Sequence, residues 1–171
     1  AKLSKDAKQL TAAIDDHSIT VNVAAENTKK TSSGNVYIGG AFAGNTVTKG
    51  TDGNTVVAQQ EINPSVLDKV STANGKPGVD ALHEVTEDYQ GALISQKNGI
   101  SSPAGNQPGS VYQKAHNRAT NQSGPIFQRI YDASGNELQM TPSGGYPTGI
   151  KSADWYVNDK KNNKVIIQTL P

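Results

Sequence analysis

The chain has 171 residues, a formal net charge of +1 and no cysteine. It is long enough to bury one core without metal or disulfide help, and disulfide frameworks, thiol catalysis and Cys-based zinc sites are excluded. With 16 Lys and Arg against 15 Asp and Glu, there is no electrostatic argument for nucleic acid or a membrane surface as a partner.

Apolar residues at Leu3, Ala7, Leu10, Ala13 and Ile14 keep a helical period and predict a helix over 3–14. Residues 18–25 (SITVNVAA) alternate apolar and polar, as a strand with one wet face does. Residues 35–42 and 46–49 also read as strands, and Gly39-Gly40 marks a bulge or a close backbone approach. Thr51-Asp52-Gly53-Asn54 is a hairpin turn leading into a strand over 55–62. Asn63-Pro64-Ser65 opens a short helix through Val70, with Pro in the first turn where its missing N–H does no harm.

The strongest helix runs from Val79 to about Lys97 and closes on Asn98-Gly99. A loop over 99–109 follows, then a helix that Ser110 can cap and that ends near Ala119. Strands at 126–131 and 137–140 flank the turn Asp132–Asn136, and strands at 153–157 and 164–170 flank Asn158–Asn163. Without an internal repeat or a long linker, the chain reads as a single domain over 1–171. Its class is α+β: an N-terminal helix and strands, a helical middle, then C-terminal β-hairpins. No apolar run approaches the roughly 20 residues of a membrane span. The polar, Asn/Thr/Gly-rich, cysteine-free composition is common among exported proteins, so a secreted or extracellular location is expected.

On the long helix, Val79, Leu82, Thr86, Tyr89 and Leu93 form the expected buried stripe. His83 lies on its shoulder, Glu87 slightly further round and Glu84 toward solvent; His83 and Glu87 are one turn apart, about 40° around the axis. Zinc needs ligands that converge from one side, and helix positions i and i+4 supply two. A third must come from elsewhere, and a fourth position stays open.

The stretch LHEVTEDYQGAL (residues 82–93) resembles the active-site helix of the zincin metallopeptidases, whose motif is H-E-x-x-H. His83 and Glu84 match the first ligand and the general base that activates a zinc-bound water, while Glu87 stands where the second His belongs. Thermolysin-type zincins bind zinc with two His and one Glu, the Glu coming from a later helix. Here the next helix offers His116, so His83, Glu87 and His116 would restore that donor set with two positions exchanged. Metzincin spacing fails, because Gln90 and Leu93 occupy the positions of its Gly and third His. Tyr112, one turn before His116, is a candidate to stabilise an oxyanion; Tyr89 falls in the core stripe and reads as packing.

The resemblance implies hydrolysis of a peptide bond in a peptide or protein substrate, with zinc as cofactor and strand 55–62 as the edge on which substrate pairs. It also implies a secreted protease or an effector module cut from a longer chain. The other reading is a catalytically inactive α+β binding or structural module, with Glu84, Glu87 and Asp88 forming a solvated acidic face. His17 reads as a histidine at a helix end. The D-x-x-H pair Asp80/His83 lacks the second such helix of a di-iron bundle, and no G-x-S-x-G elbow marks a serine nucleophile.

Overall fold

The computed structural model describes residues 2–171 and is α+β. In chain order it runs α1 (Lys5–Asp15), β1 (Ile19–Ala25), β2 (Gly40–Gly50), β3 (Gly53–Ile62), α2 (Pro64–Ala73), α3 (Val79–Asn98) and α4 (Tyr112–Arg118), then β4 (Phe127–Tyr131), β5 (Glu137–Leu138), β6 (Ser152–Asn158) and β7 (Lys164–Leu170). Side-chain oxygens cap the first two helices: Ser4 accepts from the Ala7 N–H, and Asn63 from the Val66 N–H. Gly99 closes α3 in the left-handed region at φ 67°, where an L side chain would be strained. No helix among the described residues is long and apolar enough to cross a membrane.

The N-terminal sheet has the order β1-β3-β2, with β1 parallel and β2 antiparallel to β3. The C-terminal sheet is antiparallel, in the order β5-β4-β6-β7. Two expectations are corrected here. The strand at 55–62 is not an edge: β1 pairs with it in parallel from Ile19↔Val56 to Ala25↔Ile62, which puts β3 at the centre. Parallel pairing between distant segments leaves no local signal, whereas the β2–β3 hairpin does. The strands expected at 35–42 and 46–49 become one strand, Gly40–Gly50, with residues 35–39 outside it and a register shift between Phe42 and Asn45. Gly44, at φ 88°, sits in that bulge.

One face of the N-terminal sheet packs on α3: Val56 and Ala58 of β3 and Ile19 of β1 meet Tyr89 and Ala92. Phe42 of β2 meets Ile94 of α3 and Ala115 of α4. The C-terminal sheet packs instead on α2, where Val66 and Val70 meet Val157 and Ile167. Asp80, at the start of α3, ties three segments together. Its carboxylate accepts from the Ser71 hydroxyl of α2 (2.6 Å) and from both the N–H (2.9 Å) and hydroxyl (2.5 Å) of Ser123, beyond α4.

The solvated acidic face expected on α3 does not exist. Glu84 is 7% exposed, Glu87 2% and Asp88 0%, because the sheet, α1, α2 and α4 enclose the helix from several sides. Of the expected stripe, Thr86 and Tyr89 are buried, whereas Val79, Leu82 and Leu93 are only half-buried.

Helix and sheet approach closely at Gly91, where an added Cβ would lie 2.5 Å from Cε2 of Phe42. Gly91→Ala gains roughly 1 kcal/mol of helix propensity, but overpacking a filled core costs about 1–3 kcal/mol. The Phe42 ring is buried and already packs against Tyr112, so the second effect wins. Gly91→Ala is expected to lower the urea midpoint of unfolding; an unchanged or raised midpoint would contradict this packing.

Candidate metal centre

α3 places His83 and Glu87 one turn apart, and α4 brings His116 against them. His83 Nε2 lies 3.3 Å from Glu87 Oε2 and 3.2 Å from His116 Nδ1, and the third side, His116 Nδ1 to Glu87 Oε2, is 2.7 Å. Donors around a tetrahedral metal at bond lengths of about 2.0–2.1 Å stand roughly 3.3–3.4 Å apart. Two sides of this triangle already have that length, and the third is the length of a hydrogen bond. The group is largely buried and its donor atoms lie within ligand distance of one another, so it could hold a metal ion.

The residues behind the triangle aim it. His83 Nδ1 lies 2.5 Å from the Thr120 carbonyl oxygen, which selects the tautomer with N–H at Nδ1 and leaves the Nε2 lone pair facing the centre. Thr120 is itself held by Thr86, whose hydroxyl oxygen accepts the Thr120 N–H at 3.1 Å. Glu87 Oε1 accepts from Nε2 of Gln60 at 3.1 Å, and the same Gln60 nitrogen donates to Glu84 Oε2 at 2.6 Å. Glu84 lies directly beneath Gly40 of β2, where any side chain would collide with its carboxylate. The Gly39-Gly40 pair thus marks a close approach: Gly40 to Glu84, and Gly39 to Leu67 of α2.

No family model, curated protein or solved structure matches the chain.

The electrostatics follow from burial and neighbours. Burial opposes the charging of His83, but its bond to Glu87, the Thr120 carbonyl and the nearby carboxylate charges prevail and raise its pKa. Burial likewise pushes Glu87 up, yet its bonds to His83, His116 and Gln60 outweigh that and keep it below the ordinary value. Glu84 goes the other way: burial, aided by the charge of Glu87, raises it to about 7. Tyr112, half-buried, is raised to about 12, first by burial and then by Glu87 and Glu84. Its ring lies 5.5 Å from that of His116 and 6.0 Å from that of Phe42.

A groove of about 440 Å³ runs beside β2, lined in part by Val36, Gly40, Phe42, Gly105, Asn106 and Tyr112. Two of these border the site: Gly40 touches Glu84, and Tyr112 touches His116. Other residues flagged by the sequence lie elsewhere. His17 is exposed and outside the cluster. Tyr89 donates its hydroxyl to Asp16 at 2.9 Å, so it fastens α3 to the end of α1. Asp80 serves the clamp described above. Gln60, Thr86 and Thr120 are supports to which the motif assigns no role. Gln60 carries a sequence signal as a polar residue in phase with buried Val56 and Ala58, and Thr86 as a polar residue in the expected buried stripe of α3.

Asp88 has both carboxyl oxygens buried without a hydrogen-bond partner. Burial first, then the charges of Glu87 and Glu84, raise its pKa from 3.8 to about 8. Between those values the folded chain holds a proton that the unfolded chain has released, so this group's stabilising contribution is lost as pH rises through that window. Asp88→Asn, which has no such proton, is expected to flatten the fall in unfolding free energy of the metal-free chain across that window. Glu84 titrates in the same sense and leaves a residual slope. Equal slopes in the two proteins would overturn the assignment of a neutral Asp88.

Proposed function

We propose that the chain is a zinc-dependent peptidase, with His83, Glu87 and His116 as ligands and Glu84 as general base. The observation that carries this reading is the convergence of two imidazoles and one carboxylate at ligand spacing, with Glu84 on the same turn and joined to Glu87 through Gln60. Two imidazole nitrogens and a carboxylate oxygen form a donor set that suits zinc, and a carbonyl fixing the remote nitrogen of His83 is the usual support of such a ligand. The proximity of His83 to His116 supports this reading over that of an inert module.

When bound, zinc polarises a scissile carbonyl and makes water acidic enough to attack at neutral pH. The chain's own groups would do the rest. Glu84, raised to about 7, is poised to accept a proton from the attacking water and return it to the leaving amine. Tyr112 keeps its proton at neutral pH and would donate a hydrogen bond to the oxyanion that develops. Glu84 fills the space that a side chain at Gly40 would take, and the groove past Phe42 and Tyr112 would give an extended peptide a path toward the site. The substrate-pairing role foreseen for strand 55–62 passes to β2, because β3 is enclosed between two neighbours.

The test starts with metal content, measured by mass spectrometry on protein purified without a metal-affinity tag and loaded with zinc. About one zinc per chain is expected, as for a three-residue site, and His83→Ala and His116→Ala should each abolish it. Glu84→Gln should keep the zinc and lose peptidase activity by roughly 10²–10⁴-fold, the usual contribution of a positioned acid–base group. A wild-type chain that takes up no zinc, or a Glu84→Gln protein of undiminished activity, would defeat the proposal.

A further inference from the structure

Gln60 stands on the buried face of β3, in phase with Val56 and Ala58, and is 1% exposed. A side-chain amide in that position costs free energy unless its polar atoms are bonded. Only half of it is bonded: Nε2 donates to Glu84 Oε2 at 2.6 Å and to Glu87 Oε1 at 3.1 Å, while Oε1 has no partner. The amide's orientation follows from charge, since turning it over would set its oxygen against two carboxylates. The position therefore tolerates an orphan acceptor to keep one nitrogen between two acids, and an apolar residue would fill the space at less cost.

A carboxylate can ligate a metal through one oxygen or both. In Glu87 the two oxygens are divided, with Oε1 bonded to Gln60 and Oε2 facing His83 and His116. Holding Oε1 limits Glu87 to one donor and the protein to three, which keeps the fourth position open for the reacting water. The second hydrogen of the same NH₂ group steers Glu84, so base and ligand are spaced by one rigid plane. Resting on the zinc-peptidase reading, we infer that Gln60 is a positioning residue that enforces one-oxygen ligation by Glu87 and sets the distance from the general base to the metal.

The variant that isolates this role is Gln60→Met, which keeps the volume and removes the donors. Wild-type protein loaded with cobalt is expected to show the strong visible absorption of a four-coordinate ion. Gln60→Met should show weaker absorption, as Glu87 brings its second oxygen to the metal. Zinc affinity should fall roughly 10- to 100-fold, the usual loss when a ligand's support is removed. A folded Gln60→Met protein with wild-type spectrum and affinity would overturn the inference and leave the peptidase reading intact. A wild type that binds no cobalt would sink both. Zinc-edge X-ray absorption of the wild type decides the matter even if the variant does not fold. Four donors near 2.0–2.1 Å are expected, and five donors with a two-oxygen carboxylate would refute the role given to Gln60.

Discussion

Burying an ionised carboxylate without partners costs several kcal/mol, and α3 carries four acids into the interior: Asp80, Glu84, Glu87 and Asp88. Each is accommodated differently. Asp80 stays at the helix start and collects donors from Ser71 and Ser123, which joins α2 and the segment after α4 to the helix. Glu87 is surrounded by His83, His116 and Gln60. Glu84 has one strong donor and a pKa near neutrality. Asp88 has no donor and is raised to about 8, which makes it a neutral acid at physiological pH. These accommodations dictate where β3, α4 and the turn at Thr120 must lie.

The order of the acids along α3 separates structure from chemistry. Asp80 accepts three hydrogen bonds from protein donors and lies outside the metal-ligand group. Three turns of helix later, Tyr89 and Ala92 belong to the apolar core with Ile19, Val56 and Ala58. Between these anchors lie His83, Glu84 and Glu87, whose partners are one another, His116, Gln60 and the Thr120 carbonyl. A helix held at both ends by ordinary packing keeps its central side chains in place although they repel one another. Rigid elements on either side of a strained polar cluster are what a preorganised site requires.

Much of this was legible in the residues, and the failures have physical causes. α3 and its closing Gly99 follow from period and capping, and the pair His83/Glu87 follows from one helical turn. His116 was found because it is the histidine on the next helix, although nothing in its own neighbourhood says which way it faces. The buried acids were not legible: Glu84, Glu87 and Asp88 look like a solvated face, because burial on several sides is a property of the neighbours and not of the helix. The position of β3 was missed for a related reason, since its parallel partner β1 lies far away in sequence. Thr120 contributes a backbone carbonyl, which has no residue-type signature at all. Gln60 was the missed clue, since a glutamine in the buried phase of a strand must have a reason to be there.

Three electron-rich atoms meeting within hydrogen-bond distance cannot persist without positive charge between them. In the metal-free chain that charge is protons, and the raised pKa of His83 together with the lowered pKa of Glu87 expresses the same attraction from its two ends. A metal ion would enter by displacing those protons, so affinity at this site is a competition that acid favours in one direction and metal in the other. The His116–Glu87 side of the triangle, 2.7 Å long, is where the proton's geometry differs most from that of a metal, and it is also one of the contacts that join α4 to α3. Opening it by a few tenths of an ångström asks only a short, seven-residue helix to shift. His83 and Glu87 share one rigid turn and already stand at metal-ligand spacing. His116, the least buried of the three, sits on the shorter helix, and a metal ion could replace the protons without displacing the turn of α3 that carries the other two.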